Sequence, residues 1–224
     1  MSVSPRQDVT AIVLAGGRSS RFGSPKLVVK LDGASLLDHA LRAVGSVAGN
    51  VIVAGPKPAS QLRSPIRNSG AHEPRHAAAP SVRFVVDDQP FAGPLAALAG
   101  ALRETSSELA IVVGGDMPGL VPAVLAVLLQ RLAADVDVAA VHLADTTGPA
   151  RRQVLPLGLR VAPAAKAAAK ALAMGDRSLV GLLGRLRTVE VPVPDWLPLD
   201  PAGRTLLDID EPADLERWHA GEIR

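Results

Sequence analysis

Short runs of Val, Ile, Leu and Ala alternate along the chain with longer segments in which apolar residues recur every three or four positions. Short apolar runs are typical of buried parallel strands, and the longer period is typical of amphipathic helices. The pattern predicts an α/β fold, with helices on both faces of a mostly parallel sheet. The predicted strands are residues 10–14, 51–54, 82–86, 109–113, 136–141, 154–159 and 188–191. The predicted helices are residues 35–47, with Ser35 as N-cap, 94–103, 121–134, 162–174 and 212–220.

One long stretch, residues 56–81, has no such periodicity and is rich in proline, serine and arginine. This composition predicts a flexible surface insertion within a single domain that spans residues 1–224. His72 and His76 lie four positions apart in it, but outside a helix that spacing does not place two side chains together. We therefore interpret them as solvated loop residues rather than metal ligands.

Composition narrows the function classes. Apolar residues make up 48% of the chain, which is enough for one buried core. The formal net charge is only +2, from 24 basic and 22 acidic residues, and 2% of the chain is aromatic, so neither nucleic acid nor a membrane is an expected partner. The absence of cysteine excludes disulfides and Cys-ligated zinc. With a polar amino terminus and no apolar run of membrane-spanning length, the predicted location is cytoplasmic.

The segment after the first predicted strand carries the strongest chemical signal. It contains three glycines and three cations: Gly16, Gly17, Gly23, Arg18, Arg21 and Lys26. Glycines let backbone N–H groups approach an anion, and the cations supply the charge that a polyphosphate attracts. The spacing matches neither a Walker loop nor a dinucleotide-binding fingerprint. We predict a nucleoside triphosphate cradle; the alternative is a surface loop that only connects a strand to a helix.

Carboxylates follow two other predicted strands. Asp116 comes after residues 109–113, and Asp88 comes after residues 82–86. Open α/β sheets bind ligands at the carboxyl ends of their strands, so both side chains are candidates for a shared site with the glycine-rich segment. The alternative for Asp116 is a cap or turn residue before the helix at Val121.

Near the carboxyl terminus, Asp208 and Asp210 lie two positions apart, which in an extended segment directs both side chains to the same side. Magnesium prefers carboxylate oxygens together with substrate phosphates. Asp210 is also well placed to cap the last helix ahead of Pro212, which makes Asp208 the better candidate to share a metal with Asp116.

Four motifs occur in a fixed order along nearly the whole chain. They are Leu14-Ala15-Gly16-Gly17 with Arg21, Gly23 and Lys26; Asp88 with Gly93-Pro94-Leu95; Gly115-Asp116-Met117-Pro118; and Asp208-Ile209-Asp210-Glu211-Pro212-Ala213-Asp214-Leu215. With this set the chain resembles the molybdenum cofactor guanylyltransferase (MobA) family, within the MobA-like NTP transferase class. The resemblance implies a three-layer α/β/α sandwich with a Rossmann-like sheet of the nucleotide-diphospho-sugar transferase type.

The same resemblance implies an activity: transfer of GMP from GTP to the terminal phosphate of molybdopterin, with release of pyrophosphate. It implies Mg²⁺ as cofactor and transient contact with molybdoenzyme maturation proteins. Arg21, Lys26 and Asp116 would be catalytic, and Asp116 and Asp208 would hold the metal. The implied nucleotide-binding residues are Leu14, Ala15, Gly16, Gly17, Lys26, Asp88, Gly93, Pro94 and Leu95. Arg151 and Arg152 could reach the pterin, although the favoured interpretation is two solvated loop arginines.

The details of these motifs do not all favour the same member of the class. Gly16-Gly17 and Gly93-Pro94-Leu95 resemble the guanylyl branch, whereas Pro25 before Lys26 resembles the cytidylyl branch. Gly55 stands where relatives commonly have Asn, and Asp-Ile-Asp replaces the usual Asn-Val-Asn at the end of the chain. The alternatives are a molybdopterin cytidylyltransferase, a sugar-phosphate nucleotidyltransferase, or, in another class, an inactive nucleotide-binding accessory module.

Overall fold

The structure, a computed structural model, describes residues 6–16, 26–55, 81–86, 93–145 and 153–220. The strands are β1 Arg6–Leu14, β2 Lys30–Leu31, β3 Ala34–Ser35, β4 Ala48–Gly55, β5 Ser81–Val86, β6 Leu109–Gly114, β7 Ala140–Leu143, β8 Leu157–Arg160 and β9 Thr188–Val191. The helices are α1 Leu36–Gly45, α2 Pro94–Arg103, α3 Pro122–Ala134, α4 Val161–Ala173, α5 Leu179–Leu183, α6 Val193–Trp196 and α7 Pro212–His219. Short 3₁₀ turns lie at Lys26–Val28, Leu197–Leu199 and Arg204–Leu206.

Seven strands form one sheet in the order β5-β4-β1-β6-β8-β7-β9, and β2 and β3 form a separate two-stranded hairpin. Every pair in the large sheet is parallel except the two pairs made by β8, which runs antiparallel to β6 and to β7. Strand β1 lies between β4 and β6, with Thr10 paired to Asn50 on one side and to Ala110 on the other. This arrangement confirms the predicted three-layer α/β/α fold with a mostly parallel sheet.

The central strand explains why the sequence shows continuous apolar runs. Ala11 and Val13 belong to the hydrophobic cluster that contains α1 and α3, whereas Ile12 and Leu14 belong to the cluster that contains α2, α4 and α5. Since successive side chains of a strand point to opposite faces, a strand covered on both faces must be apolar at every position. The two clusters therefore lie on opposite faces of the sheet.

Helix α1 begins as predicted. The Ser35 hydroxyl accepts a hydrogen bond from the Asp38 backbone N–H at 3.1 Å, and the Asp38 carboxylate accepts from the Ser35 N–H at 3.3 Å. This reciprocal capping box satisfies backbone donors that the first turn of a helix leaves unpaired. The predicted bounds of α2 also match. Those of α3 and α7 differ by one residue at one end, those of α4 differ by one residue at each end, and α1 ends at Gly45 rather than at residue 47.

Two predicted strands are too long at their amino-terminal ends. Strand β7 begins at Ala140 rather than at residue 136, because Val136 lies in a solvent-exposed turn whose neighbours Asp135 and Asp137 both pair with Arg187. Strand β8 begins at Leu157 rather than at residue 154, because Pro156 has no N–H to donate to a ladder. Among the described residues, no helix is long and apolar enough to cross a membrane.

Candidate active site

The carboxyl ends of β1, β4 and β6 are joined by backbone hydrogen bonds. The Gly115 N–H donates to the Leu14 carbonyl at 2.9 Å, and the Ala15 N–H donates to the Ala54 carbonyl at 2.7 Å. Leu14 is buried, and Gly16 is exposed at the start of the glycine-rich segment. The carboxyl ends of these three strands therefore meet at one edge of the sheet.

Gly55 is glycine because of this joint: a Cβ there would lie 2.8 Å from the Ala15 carbonyl oxygen. Gly55, at which the resemblance predicts Asn, is thus packed against backbone in this chain. Backbone atoms cannot move aside as a flexible side chain can.

Asp116 follows β6 in a tight turn that aims its carboxylate back toward the strand. A Cβ on Gly114 would overlap Asp116 Oδ1, so only glycine fits beneath the carboxylate. The Gly114 N–H also donates to the Met117 sulfur at 3.3 Å. Helix α3 has Val121 as its N-cap, so Asp116 is not a helix cap.

Lys26 lies between two carboxylates. Its Nζ is 2.8 Å from Asp116 Oδ2 and 2.7 Å from Asp210 Oδ1, and the lysine side chain is only 12% exposed. Burial lowers the pKa of the Lys26 ammonium, but the negative charges and hydrogen bonds of the two aspartates outweigh burial and raise the pKa above its usual value. The lysine is therefore a permanent cation at this edge.

The predicted capping role of Asp210 is wrong. Helix α7 has Glu211 as its N-cap, and the Asp214 carboxylate accepts hydrogen bonds from the Asp210 N–H at 2.7 Å and the Glu211 N–H at 2.8 Å. Because Asp214 satisfies these donors, the Asp210 carboxylate is available to pair with Lys26. The local cap pattern, an aspartate before Pro212, indicated the wrong residue.

Asp208 and Asp210 reach the site because the segment between them is anchored. The Ile209 N–H donates to the Asp116 carbonyl at 3.0 Å, and the wholly buried Ile209 side chain packs with Leu31 and Leu36. Burial raises the pKa of the Asp208 carboxyl, and the negative charges of Asp210 and Asp116 raise it further. The structure thus brings Asp116, Asp208 and Lys26 together, as predicted from the sequence.

The segment before Ile209 is fastened to the loop between β6 and α3. The Val121 N–H donates to the Thr205 hydroxyl at 3.1 Å, and the Thr205 N–H donates to the buried Asp200 carboxylate at 2.7 Å. A Cβ on Gly119 would lie 2.6 Å from the Arg204 carbonyl oxygen, so the two segments touch backbone to backbone. Sequence reasoning missed the contact between Val121 and Thr205, which are 84 positions apart.

At the start of α2, Gly93 has a positive φ of 96°, and a Cβ there would lie 2.9 Å from the Arg177 carbonyl oxygen. That carbonyl accepts a hydrogen bond from the Leu95 N–H at 3.3 Å, and the Leu95 side chain is fully buried. Pro94, at the first helical position, has no N–H. The predicted contacts of these three residues with a nucleotide stay predictions, and the loop that contains Arg177 was not identified from the sequence.

Several predicted site residues lie outside the described part of the chain. They are Gly17, Arg18, Arg21, Gly23 and Asp88, together with Arg151, Arg152 and residues 56–80. Their predicted roles stay predictions.

The chemistry of the donor set suits a hard divalent cation. Carboxylate oxygens of Asp116 and Asp210 both contact Lys26 Nζ. Asp208 is close enough to these two carboxylates for their charges to raise its pKa. As these side chains stand, no group of three or more His, Asp or Glu residues in the described ranges is arranged around a common metal position. The residues therefore fit magnesium by ligand type, with Lys26 at the place where the carboxylates meet.

Comparison with known proteins identifies the class. Residues 11–189 match the family described as the MobA-like NTP transferase domain. The chain therefore belongs to this family of nucleotidyltransferases.

Two similar proteins are both named molybdenum cofactor guanylyltransferases, one of them as probable. The chain is 30% identical over 214 residues to a probable molybdenum cofactor guanylyltransferase of Chloroflexus aggregans, covering 93% of this chain and 92% of that protein. It is 32% identical over 197 residues to a molybdenum cofactor guanylyltransferase of Burkholderia ambifaria, covering 85% and 89%.

The fold also matches a solved structure. Molybdopterin-guanine dinucleotide biosynthesis protein A from Archaeoglobus fulgidus superposes with a TM-score of 0.71 over 95% of this chain and 99% of that one, at 22% identity. At this identity the likeness concerns the fold.

Proposed function

We propose that this nucleotidyltransferase transfers GMP from GTP to the terminal phosphate of molybdopterin and releases pyrophosphate. The observation that carries the proposal is the cluster of Lys26, Asp116, Asp208 and Asp210 at the carboxyl edge of the sheet, where β1 ends and Gly16 begins the glycine-rich segment. The names of the relatives support the choice of GTP and molybdopterin.

The proposed reaction is a single displacement at the α-phosphorus. An oxygen of the acceptor phosphate forms a bond to that phosphorus, while the bond to the oxygen that bridges to the β-phosphate breaks. The electron pair of the broken bond leaves with pyrophosphate. No covalent intermediate with the protein is required, so the protein contributes mainly by positioning the two substrates and neutralising charge.

Each proposed residue has one task. Lys26 places a permanent positive charge against phosphate oxygens, and Arg21 adds a second. Asp116 and Asp208 would hold Mg²⁺, which, when bound, neutralises charge on the triphosphate and on the leaving pyrophosphate. The backbone at Leu14, Ala15, Gly16 and Gly17 would line the phosphates.

The nucleoside would lie toward α2. Asp88 would accept hydrogen bonds from the base or ribose, and Gly93, Pro94 and Leu95 would shape the wall on which they rest. The close packing of Gly93 against Arg177 supports a fixed position for this helix start. Cytoplasmic location and transient contact with molybdoenzyme maturation proteins stay part of the proposal.

One sequence feature favours a second function. Pro25 directly before Lys26 resembles the cytidylyl branch, so CTP is the alternative donor. Transfer to a sugar phosphate and a binding-only accessory role are the remaining alternatives. The binding-only role is disfavoured by the pairing of Lys26 with two carboxylates, since a pure binder does not need metal ligands.

A titration of GTP, CTP, ATP and UTP in turn, by calorimetry with magnesium present, tests the donor. We expect GTP to bind most tightly, and pyrophosphate release from GTP to depend on added molybdopterin. Preference for CTP with the same acceptor would move the chain to the cytidylyl alternative. Binding of all four without pyrophosphate release would favour the accessory role.

Asp116→Ala tests the proposed metal ligand. We expect turnover to fall by roughly a thousandfold or more, because the charge on the reacting phosphates would lose its neutralising cation. The matched control is Asp137→Ala, which removes an exposed aspartate paired with Arg187 at the opposite edge of the sheet and should leave turnover unchanged. Full turnover by a folded Asp116→Ala protein would contradict the assignment.

A further inference from the structure

The ammonium of Lys26 lies between Asp116 and Asp210, where a metal bound by these carboxylates would be expected. Lys26 Nζ is 2.8 Å from Asp116 and 2.7 Å from Asp210. This one nitrogen therefore connects the turn after β6 to the segment before α7. The lysine side chain is 12% exposed, compared with 28% for Asp116 and 38% for Asp210. Of these three side chains, that of Lys26 is therefore the least exposed to solvent.

Charge balance explains why a cation belongs there. Two carboxylates, those of Asp116 and Asp210, contact the Lys26 ammonium, and Asp208 lies two positions before Asp210 in the same anchored segment. Without Lys26, these carboxylates would repel one another. Among the described residues, Lys26 is a positive charge that contacts both Asp116 and Asp210 and offsets this repulsion.

We propose that Lys26 is a resident counter-ion that must leave Asp116 before a divalent cation can bind there, so that the divalent cation and the triphosphate bind cooperatively. This inference rests on the proposed role of Asp116 as a metal ligand. It adds a role that the reaction chemistry alone does not require: Lys26 excludes the metal from the protein until a triphosphate is present.

The exclusion follows from distances and charge. A magnesium ion bonds oxygen at about 2.0–2.1 Å, so on Asp116 it would lie within a few ångströms of the ammonium that now contacts the same carboxylate. Two cations that close repel strongly in a partly buried site. A triphosphate removes the conflict, because it offers Lys26 a new anionic partner and the metal further oxygen ligands.

The lysine side chain is suited to such a move. Lysine carries a compact charge on a flexible four-carbon stem, whereas arginine would hold a carboxylate through a rigid planar fork. Lys26 is also the first residue of a short 3₁₀ turn that directly follows the glycine-rich segment. A rotation of its side chain would move the ammonium away from Asp116 without unfolding an element.

Asp210 positions the Lys26 ammonium when no nucleotide is bound. It provides the second contact to Lys26, and its own backbone is fixed by the hydrogen bond to Asp214. Together, Asp116 and Asp210 hold the ammonium from two sides. The opposite possibility is a permanent structural ion pair, in which Lys26 stays on Asp116 in every state and the metal binds elsewhere.

Binding of Mn²⁺, measured by electron paramagnetic resonance in the absence of nucleotide, distinguishes these possibilities. We expect Lys26→Met to bind Mn²⁺ about tenfold or more tightly than the unsubstituted protein, which is a typical size for coupling between ligands. Lys26→Gln can still donate to a carboxylate and should behave similarly, which keeps the test available if methionine disturbs the fold. The matched control is Lys30→Met, an exposed lysine four residues away, which should not change Mn²⁺ binding.

Two results would overturn the proposal. One is Mn²⁺ binding by Lys26→Met and Lys26→Gln no tighter than binding by the unsubstituted protein. The other is equally tight Mn²⁺ binding in the Lys30→Met control, which would indicate only a change in net charge. Because no nucleotide or acceptor is present, a wrong choice of GTP or molybdopterin would leave this test unaffected. Loss of the tighter Mn²⁺ binding in the double variant Lys26→Met with Asp116→Asn would confirm where the metal binds.

Discussion

Lys26 connects residues that are 90 and 184 positions away along the chain. The pKa of its ammonium is raised, so this group binds its proton more tightly in the folded protein than in the unfolded chain. The resulting stabilisation is fully present below the unfolded pKa and is lost as the pH rises through the folded pKa. The ion pair is therefore intact at neutral pH, and the site keeps its cation under the conditions of the reaction.

Asp208 has the opposite effect on stability. Burial and two neighbouring carboxylates raise its pKa, so the folded protein is penalised for ionising it. The penalty is absent below the unfolded pKa, where both states are protonated, and becomes complete as the pH rises above the folded pKa. We expect Asp208→Asn to raise the Tm at neutral pH by a few degrees, since about 1 kcal/mol corresponds to roughly 2–4 °C in a chain of this size. Thermal unfolding followed by circular dichroism, with a chelator present, measures the difference.

The difference between Asp208→Asn and the unsubstituted protein should disappear in acid. Asp137→Asn serves as a control for the loss of one negative charge, because Asp137 is exposed and lies at the other edge of the sheet. Equal Tm values for Asp208→Asn and the unsubstituted protein at every pH would contradict the account. So would a stabilisation that grows as the pH falls.

At this scale the sequence predicted the meeting of Asp116, Asp208 and Lys26. Asp116 and the glycine-rich segment each follow a predicted strand, and such segments gather at one edge, whereas Asp208 was predicted there as a carboxylate that could share a metal with Asp116. It did not predict the partner of Asp210. A local pattern favoured a cap, and the true contact depends on Asp214 satisfying the helix start. A hydrogen bond between neighbours can be inferred from spacing, but an ion pair across 184 positions requires the fold.

At the scale of elements, the segment before α7 is held against the loop between β6 and α3. The contact at Gly119 is the closest, since a Cβ there would meet the Arg204 backbone. We expect Gly119→Ala to lower the free energy of unfolding by about 1–3 kcal/mol, a typical cost of overpacking. Because Arg204 lies four residues before Asp208 in the same segment, nucleotidyl transfer should fall as well. Denaturant unfolding and pyrophosphate release measure the two effects.

Gly100→Ala is the matched control for this change. Gly100 lies in α2, and a Cβ there would find its nearest neighbours at 3.9 Å, in ordinary contact. Replacing a helical glycine with alanine should be neutral or stabilise the protein by up to about 1 kcal/mol. If Gly119→Ala unfolds at the same denaturant concentration as Gly100→Ala, the described packing of the two segments is wrong.

Among the helices, the longer ones were predictable, and the two shortest were not. Helices α1 to α4 contain ten or more residues, enough for an apolar period to emerge, whereas α5 and α6 contain five and four. The hairpin of β2 and β3 has two residues in each strand and depends on Asp32 and Gly33 in left-handed conformations. Elements this short are determined by tertiary contacts rather than by periodicity.

At the scale of the whole molecule, one sheet separates two hydrophobic clusters. Because neighbouring residues of β1 pack into different clusters, unfolding of this strand would disrupt both clusters. We therefore expect a single cooperative unfolding transition. Tryptophan fluorescence, which reports the buried Trp196 and the partly exposed Trp218 beside Arg204, should change at the same temperature as the far-UV circular dichroism. Two separate midpoints would contradict this view of the core.

The sheet as a whole shows where sequence reasoning ends. Continuous apolar strands predicted burial on both faces, and that prediction is confirmed. The reversed direction of β8 was not predicted, because an apolar run is the same in a parallel and an antiparallel strand when both faces are covered. Direction depends on the connections and on neighbours such as Val112 and His142, which pair with Leu157.

The central claim is nucleotidyl transfer at the edge where Lys26, Asp116 and Asp208 meet. The most direct measurement supplies molybdopterin and magnesium with GTP that is radiolabelled at either the α- or the γ-phosphate. We predict that the α label appears in the dinucleotide product and the γ label in pyrophosphate. Appearance of the γ label in the acceptor, or its release as inorganic phosphate with no α label transferred, would contradict the account.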